Sequence, residues 1–315
     1  MTTHPLAAAS VSLRLYAADL DAPRIVETLC EQAAVGARAG FDGVMFAEHH
    51  GGFAAYLPNP IQLAGFALDA MPTGWAAACP ILLPLRHWSQ TAEDLAWLAA
   101  RHPGRVGAGF GVGGLAQDFE MADLDWATRF RCYAQALPRI VEALRGRAGE
   151  PLGRDAAIRH CLDAPIPIVV AAQVRPAVER AARLGVGLLY DSLQTPDHLA
   201  GLSRIHEEAG GPRQRILIRR VWLGRPPDEA SAQQLAFYKS YTSERTQATW
   251  GGDELVADED PIRLAERLAD AARQTGSQAL NLRIHQMGVD HAAIREQIER
   301  LGAELLPALR ARLAE

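Results

Sequence analysis

Two adjacent histidines behind a glutamate, Glu48-His49-His50, follow the apolar run Val44-Met45-Phe46 in this chain of 315 residues. Imidazole is the side chain whose charge ordinarily changes near neutral pH, and a neighbouring carboxylate can orient it. The pattern suits a proton-handling group, with His49 as the catalytic candidate, Glu48 tuning or orienting it, and His50 facing a substrate. A metal centre fits poorly. Adjacent histidines on extended chain point in different directions, the His-Glu-x-x-His spacing is absent, and nothing supplies a third ligand. The plain alternative is an ordinary polar rim.

Other candidates stand at the ends of apolar runs. In Asn281-Leu282-Arg283-Ile284-His285, alternation puts Asn281, Arg283 and His285 on one face, and His285 becomes a substrate-side candidate if that face points inward. The stretch Gly107-Ala108-Gly109-Phe110-Gly111-Val112-Gly113-Gly114 lacks the lysine and hydroxyl of a triphosphate loop. Its glycines would still let backbone approach a flat ring or a phosphate, so Gly111, Val112 and Gly113 are cofactor candidates. Cys79 has no obvious activating base and reads as a structural thiol. Pro80 after it can carry a cis bond at small cost. Gln173 and Arg175 precede a helix start where a phosphate could sit, with Asp191-Ser192 framing the same region. Phe53, Tyr241 and Trp250 are candidate covers for an apolar substrate, or simple packing.

These residues need a scaffold, and one supersecondary step recurs along the chain. Apolar residues at helical spacing from Ile25 to Ala37 end at Gly40 and lead into a strand at Val44. The same helix, glycine and strand recur at 172–190, with Gly185, and at 265–284, with Gly276. Further strands are predicted over 75–82, 105–110, 168–171 and 215–223. Asp21 with Pro23, and Thr195 with Pro196, read as helix starts. Pro138 is expected to kink or break the helical region 126–144. Eight strands starting near 11, 43, 75, 105, 167, 186, 215 and 279 favour one (β/α)8 TIM barrel over 1–315, an α/β fold, ahead of a doubly wound sheet. The interval 224–261, with Lys239, Tyr241 and Trp250, does not fit the alternation and reads as a lid or insertion after strand seven. In either fold ligands bind at the carboxyl ends of the strands.

Composition narrows the partners. The formal charge is −5, from 32 basic and 37 acidic residues, which argues against a nucleic-acid partner. No apolar run of about 18 residues suggests a membrane span. No basic segment followed by an apolar stretch suggests a secretory signal, so a cytoplasmic location is expected. Cys30, Cys79, Cys132 and Cys161 lack metal or redox spacing and read as reduced thiols.

Phe41-Asp42-Gly43-Val44 leading into Glu48-His49-His50, then Asn59-Pro60, Pro84-Leu85-Arg86-His87, Gly104-Arg105 and Asp118-Phe119, resemble in order and spacing the bacterial luciferase-like flavin-dependent oxidoreductases. The resemblance runs from strand one to the last helix and is weakest over 224–261. It implies a barrel that binds reduced FMN or, alternatively, the deazaflavin coenzyme F420, a small organic substrate, and a homodimer. It further implies that His49 serves the oxygenation reaction and that a cis peptide lies under the cofactor ring at Cys79-Pro80. In flavin-using relatives an arginine for the cofactor phosphate commonly stands where this chain has Val112, so Arg175 or backbone N–H groups after strand five would have to hold that phosphate. The leading expectation is a monooxygenase fed with reduced FMN by a separate reductase. The alternatives are an F420-dependent dehydrogenase or reductase and a non-catalytic flavin-binding barrel.

Overall fold

The computed structural model describes residues 4–17, 19–242, 244–248, 250–251 and 255–314. Eight parallel strands close into a barrel: β1 (Val11–Arg14), β2 (Gly43–Phe46), β3 (Trp75–Leu82), β4 (Val106–Gly111), β5 (Ile168–Ala171), β6 (Gly187–Tyr190), β7 (Arg215–Leu223) and, after an extra strand β8 (Leu255–Asp258), β9 (Ala279–Arg283). Neighbours follow chain order from β1 to β7, and β9 sits between β7 and β1 to close the ring. The expected (β/α)8 barrel is therefore the fold, and the expected strand eight is β9.

Helices α1 (Ala22–Arg38), α2 (Pro60–Ala70), α3 (Trp88–Arg101), α4 (Ala116–Glu120), α5 (Arg129–Ala143), α6 (Ala156–His160), α7 (Arg175–Arg183) and α8 (Pro196–Glu208) lie between successive strands up to β7. After β7 come α9 (Asp228–Tyr241) and α10 (Glu244–Gln247), then α11 (Pro261–Thr275), α12 (His291–Arg300) and α13 (Leu306–Leu313). Caps act where the sequence places them. Asp21 accepts from the Arg24 N–H, Thr195 accepts from the His198 N–H, and Gly276 takes the left-handed conformation with φ 68°. No described helix is long and apolar enough to cross a membrane.

Period-2 alternation divides the core in two. Val44 and Phe46 join the large apolar layer between strands and helices, whereas Met45 joins Trp75, Ala77, Cys79, Val169, Leu189, Ile216 and Ile218 inside the barrel. The N-terminal segment adds Leu6 to that interior. Glycine is required at Gly109, because a methyl there would overlap the Cys79 thiol.

One expectation needs correction. Helix α5 runs through Pro138 without a break, and the turn Trp126–Thr128 is a separate 3-10 segment. Ala134, whose carbonyl loses its donor, is only partly buried, so water can satisfy that oxygen. The interval 224–261 is the insertion expected after strand seven. It holds α9, α10 and β8, which extends the outer end of β7 through the pairs Arg220 to Leu255 and Leu223 to Asp258.

Candidate active site

All the strands are parallel, so their carboxyl ends open on one mouth, and the chemistry-bearing side chains gather there. The Glu48 N–H donates to the Pro80 carbonyl at 3.2 Å, which ties the end of β2 to the irregular part of β3, where the Cys79-Pro80 bond is cis. The Glu48 carboxylate is 1% exposed and saturated with donors. One oxygen accepts from Arg86 Nε at 3.0 Å, Arg86 Nη2 at 2.8 Å and His50 Nε2 at 3.0 Å; the other accepts from the Leu82 N–H at 2.7 Å. A buried carboxylate so bound is an anchor for three chain segments.

Glu48 therefore does not orient His49, contrary to the expectation. That role falls to Asp118 on α4, whose Oδ2 accepts from His49 Nδ1 at 2.8 Å while its Oδ1 accepts from the His50 N–H at 2.9 Å. A carboxylate oxygen can only accept, so Nδ1 carries the hydrogen and Nε2 is left as the proton-accepting edge. The hydrogen bond to Glu48 raises the His50 pKa above its ordinary value, against the opposing effect of burial.

Aromatic rings pack against the imidazole. His49 lies 4.7 Å from Phe53 and 4.6 Å from Tyr56, centroid to centroid, and Phe53 meets Phe237 at 5.1 Å and Tyr241 at 5.0 Å. Helix α9 thus covers the β2 side of the mouth. Trp250 lies elsewhere, bridged to Gln194 in the loop after β6, and among the described residues it has no ring contact with Phe53.

The cofactor candidates scatter more widely. Cys79 is fully buried, and burial pushes its thiol up to about 12, against the pull of Arg14, so it is no nucleophile. Gly111 ends β4 beside Pro80, and Gly113 has φ +83° against Phe119. Val112 is partly buried and packs on the core layer between strands and helices. Gln173 donates to Asp191, and its carbonyl accepts from His198 Nε2 at 3.2 Å. Arg175, 65% exposed, pairs along its own helix with Glu179 at 3.2 Å.

On the other side of the mouth, His285 is buried beside Tyr16, with ring centroids 5.5 Å apart. Burial first, and the Arg283 charge second, lower its pKa to about 3. Sequence reasoning gave no role to Arg14, Tyr16, Tyr56, Arg86 or Asp118. A signal existed for four of them: alternation in Ser12-Leu13-Arg14-Leu15-Tyr16 puts Arg14 and Tyr16 on the face of Ser12, and Arg86 and Asp118 stand in the runs that carry the family resemblance. Arg14 donates to the Cys79 carbonyl at 3.0 Å and to Asn281 Oδ1 at 3.3 Å. Burial opposes ionisation of Tyr16, but Arg283 and Arg14 outweigh it and lower the phenol to about 8. Among the described residues no group of three His, Cys, Asp or Glu is placed to hold a metal ion.

A parallel barrel with a His–Asp pair and aromatic walls at its mouth suits small-molecule chemistry, and comparison with known proteins sharpens this. The family model described as luciferase-like monooxygenase matches residues 11–306, and the chain belongs to that family of oxidoreductases. An F420-dependent glucose-6-phosphate dehydrogenase from Beutenbergia cavernae is 27% identical, with 87% of this chain and 91% of the relative covered. A monooxygenase from Streptomyces bottropensis superposes with a TM-score of 0.79 at 15% identity, covering 95% of this chain and 99% of its own. The oxygenating constituent of 3,6-diketocamphane monooxygenase from Pseudomonas putida, solved with FMN, gives 0.75 at 16% identity, covering 96% and 99%. A flavin or F420 cofactor is consistent with this family setting.

Proposed function

We propose that the protein is a monooxygenase that uses reduced FMN, supplied by a separate reductase, and molecular oxygen on a small organic substrate. The observation that carries this reading is His49, held by Asp118 at Nδ1 and packed against Phe53 and Tyr56, with the α9 rings behind Phe53. The residues around it fit a flat cofactor. The Cys79-Pro80 segment interrupts the β3 register, Gly111 brings the end of β4 close beside Pro80, and Gln194 Oε1 is buried without a hydrogen bond.

Bound reduced flavin would supply two electrons, so that one oxygen atom enters the substrate and the other leaves as water. The protein's own part is orientation, solvent exclusion and proton transfer. Backbone at Cys79-Pro80 and Gly111 to Gly113, with Gln173 and Gln194, would hold the cofactor, and Arg175 could swing from Glu179 to a phosphate. His49 Nε2 takes or returns the proton, while the α9 rings keep water out. His50 and His285 complete the substrate side, Trp250 stands beside Gln194 at the cofactor side, and the 224–261 segment acts as a lid. A homodimer belongs to the same reading.

The second reading is an F420-dependent dehydrogenase. The 27% identical relative and Val112 at the position of the usual phosphate arginine favour it. Titration of the purified protein with oxidised FMN, reduced FMN and F420, followed by absorbance, separates the two. Preference for reduced FMN supports the monooxygenase; binding of F420 alone retires it.

A further inference from the structure

The β9 and β1 side of the mouth carries two buried guanidinium groups, Arg14 and Arg283, at 5% and 3% exposure. Arg14 is accounted for by its bonds to Cys79 and Asn281. Arg283 is not. Its Nη1 donates to the Tyr238 hydroxyl and its Nε to the His285 carbonyl, but its Nη2 is buried without any hydrogen bond. His285 Nδ1, next to it, is likewise buried and unpartnered. Among the described residues neither arginine forms an ion pair with a carboxylate, and the groups that act electrostatically on Arg14, Tyr16 and His285 are arginines, tyrosines and Cys79.

A buried charge is costly unless it is paired, and a guanidinium has five N–H donors to satisfy. Partial compensation exists, because the Arg283 guanidinium stacks 3.9 Å from the centre of the Tyr16 ring. A cation–π contact leaves the in-plane N–H donors free, however, and Nη2 remains available for an oxygen. Tyr16 does not fill the gap, because it presents its ring face to the guanidinium.

We propose that Arg283, with the Tyr16 and His285 rings beside it, binds an anionic oxygen group of the substrate, a carboxylate or a phosphate. Strand order favours the substrate over the cofactor as the source of this anion. The β4 glycines lie on the strand opposite β9 in the ring, whereas Tyr16 lies beside Tyr56, which touches His49. A ligand anchored at Arg283 therefore presents its other end to His49. Tyr238 of α9 lies against Arg283 and Tyr241 packs on Tyr238, so a ligand held by Arg283 would sit beside α9. Only the word substrate rests on the proposed function; the anion site stands on Arg283 and its surroundings.

The test is calorimetric titration of the full-length protein with benzoate and with inorganic phosphate, alongside separate titrations with FMN and F420. At least one anion should bind, and which one does so separates the carboxylate from the phosphate. Arg283→Met should weaken that binding about tenfold or more, Arg283→Lys should weaken it less, and cofactor binding should persist in both. Should Arg283→Met fail to fold, the wild type provides a second readout. A bound anion must raise the pKa of the Tyr16 phenol, seen as an alkaline shift of its ultraviolet titration. Failure of both anions to bind, equal binding to Arg283→Met, or an unmoved Tyr16 titration under saturating anion would overturn the site. Anion binding without any cofactor binding would retire the proposed function and leave the site in place.

Discussion

Asp118 Oδ2 lies 2.8 Å from His49 Nδ1, and the same carboxylate takes the His50 N–H through its other oxygen. One side chain thus fixes both the ring and the backbone that carries it. Asp118→Asn keeps the shape but offers one acceptor where two are needed, and its amide N–H₂ faces a donor. We expect turnover to fall about 10- to 100-fold with little change in melting temperature. A variant that turns over at the wild-type rate would remove Asp118 from the mechanism.

Glu48 calls for the opposite result. Glu48→Gln places an amide N–H₂ against Arg86, His50 or the Leu82 N–H, inside a site that is 1% exposed. Breaking a buried charged network of this kind costs about 3 kcal/mol or more. Denaturant unfolding should show the loss directly, and an unchanged midpoint would mean that the network is not the anchor described above.

The histidines give stability a pH dependence of two signs. His285 stays neutral in the folded chain down to about 3, against an unfolded value of 6.5. Between these limits the unfolded chain binds a proton that the folded chain does not, so stability declines as pH falls through that window. His50 runs the other way: its raised pKa contributes fully below 6.5 and is lost as pH rises through the folded value. His285→Asn should flatten the acid side of a melting-temperature profile, and an unaltered slope would contradict the buried neutral state.

Gly109→Ala tests the barrel interior. The new methyl overlaps the Cys79 thiol, which is packed among Met45, Trp75 and Val169 and cannot move freely. Overpacking of this sort costs about 1–3 kcal/mol. The double variant with Cys79→Ala should recover part of the loss in thermal unfolding; no recovery would place the strain elsewhere.

What could be read in the sequence was local. Helix, glycine and strand signals lie within a few residues of one another, so Gly276 as a cap, Thr195 before Pro196 and the eight barrel strands were legible. Strand β8 was not, because three apolar residues and an aspartate amid polar chain carry no alternation long enough to register. The Glu48-His49-His50 run was visible as a strand-end cluster, but its partners were out of reach. Asp118 is 69 residues from His49, Arg86 is 38 from Glu48, and Arg14 meets Asn281 across 267 residues. Adjacency suggested that Glu48 serves His49, yet closure of the barrel turns Glu48 toward β3 and brings α4 to the imidazole instead. Pro138 misled for a related reason, since solvent access at Ala134 is a property of the folded helix.

The most direct test of the central claim is reoxidation of reduced FMN by oxygen, followed by stopped-flow absorbance with the protein in excess. The account predicts a time course distinct from that of free reduced FMN, and a further change in His49→Ala and Asp118→Asn. A time course identical to that of the free cofactor, in protein shown to be folded, would contradict it.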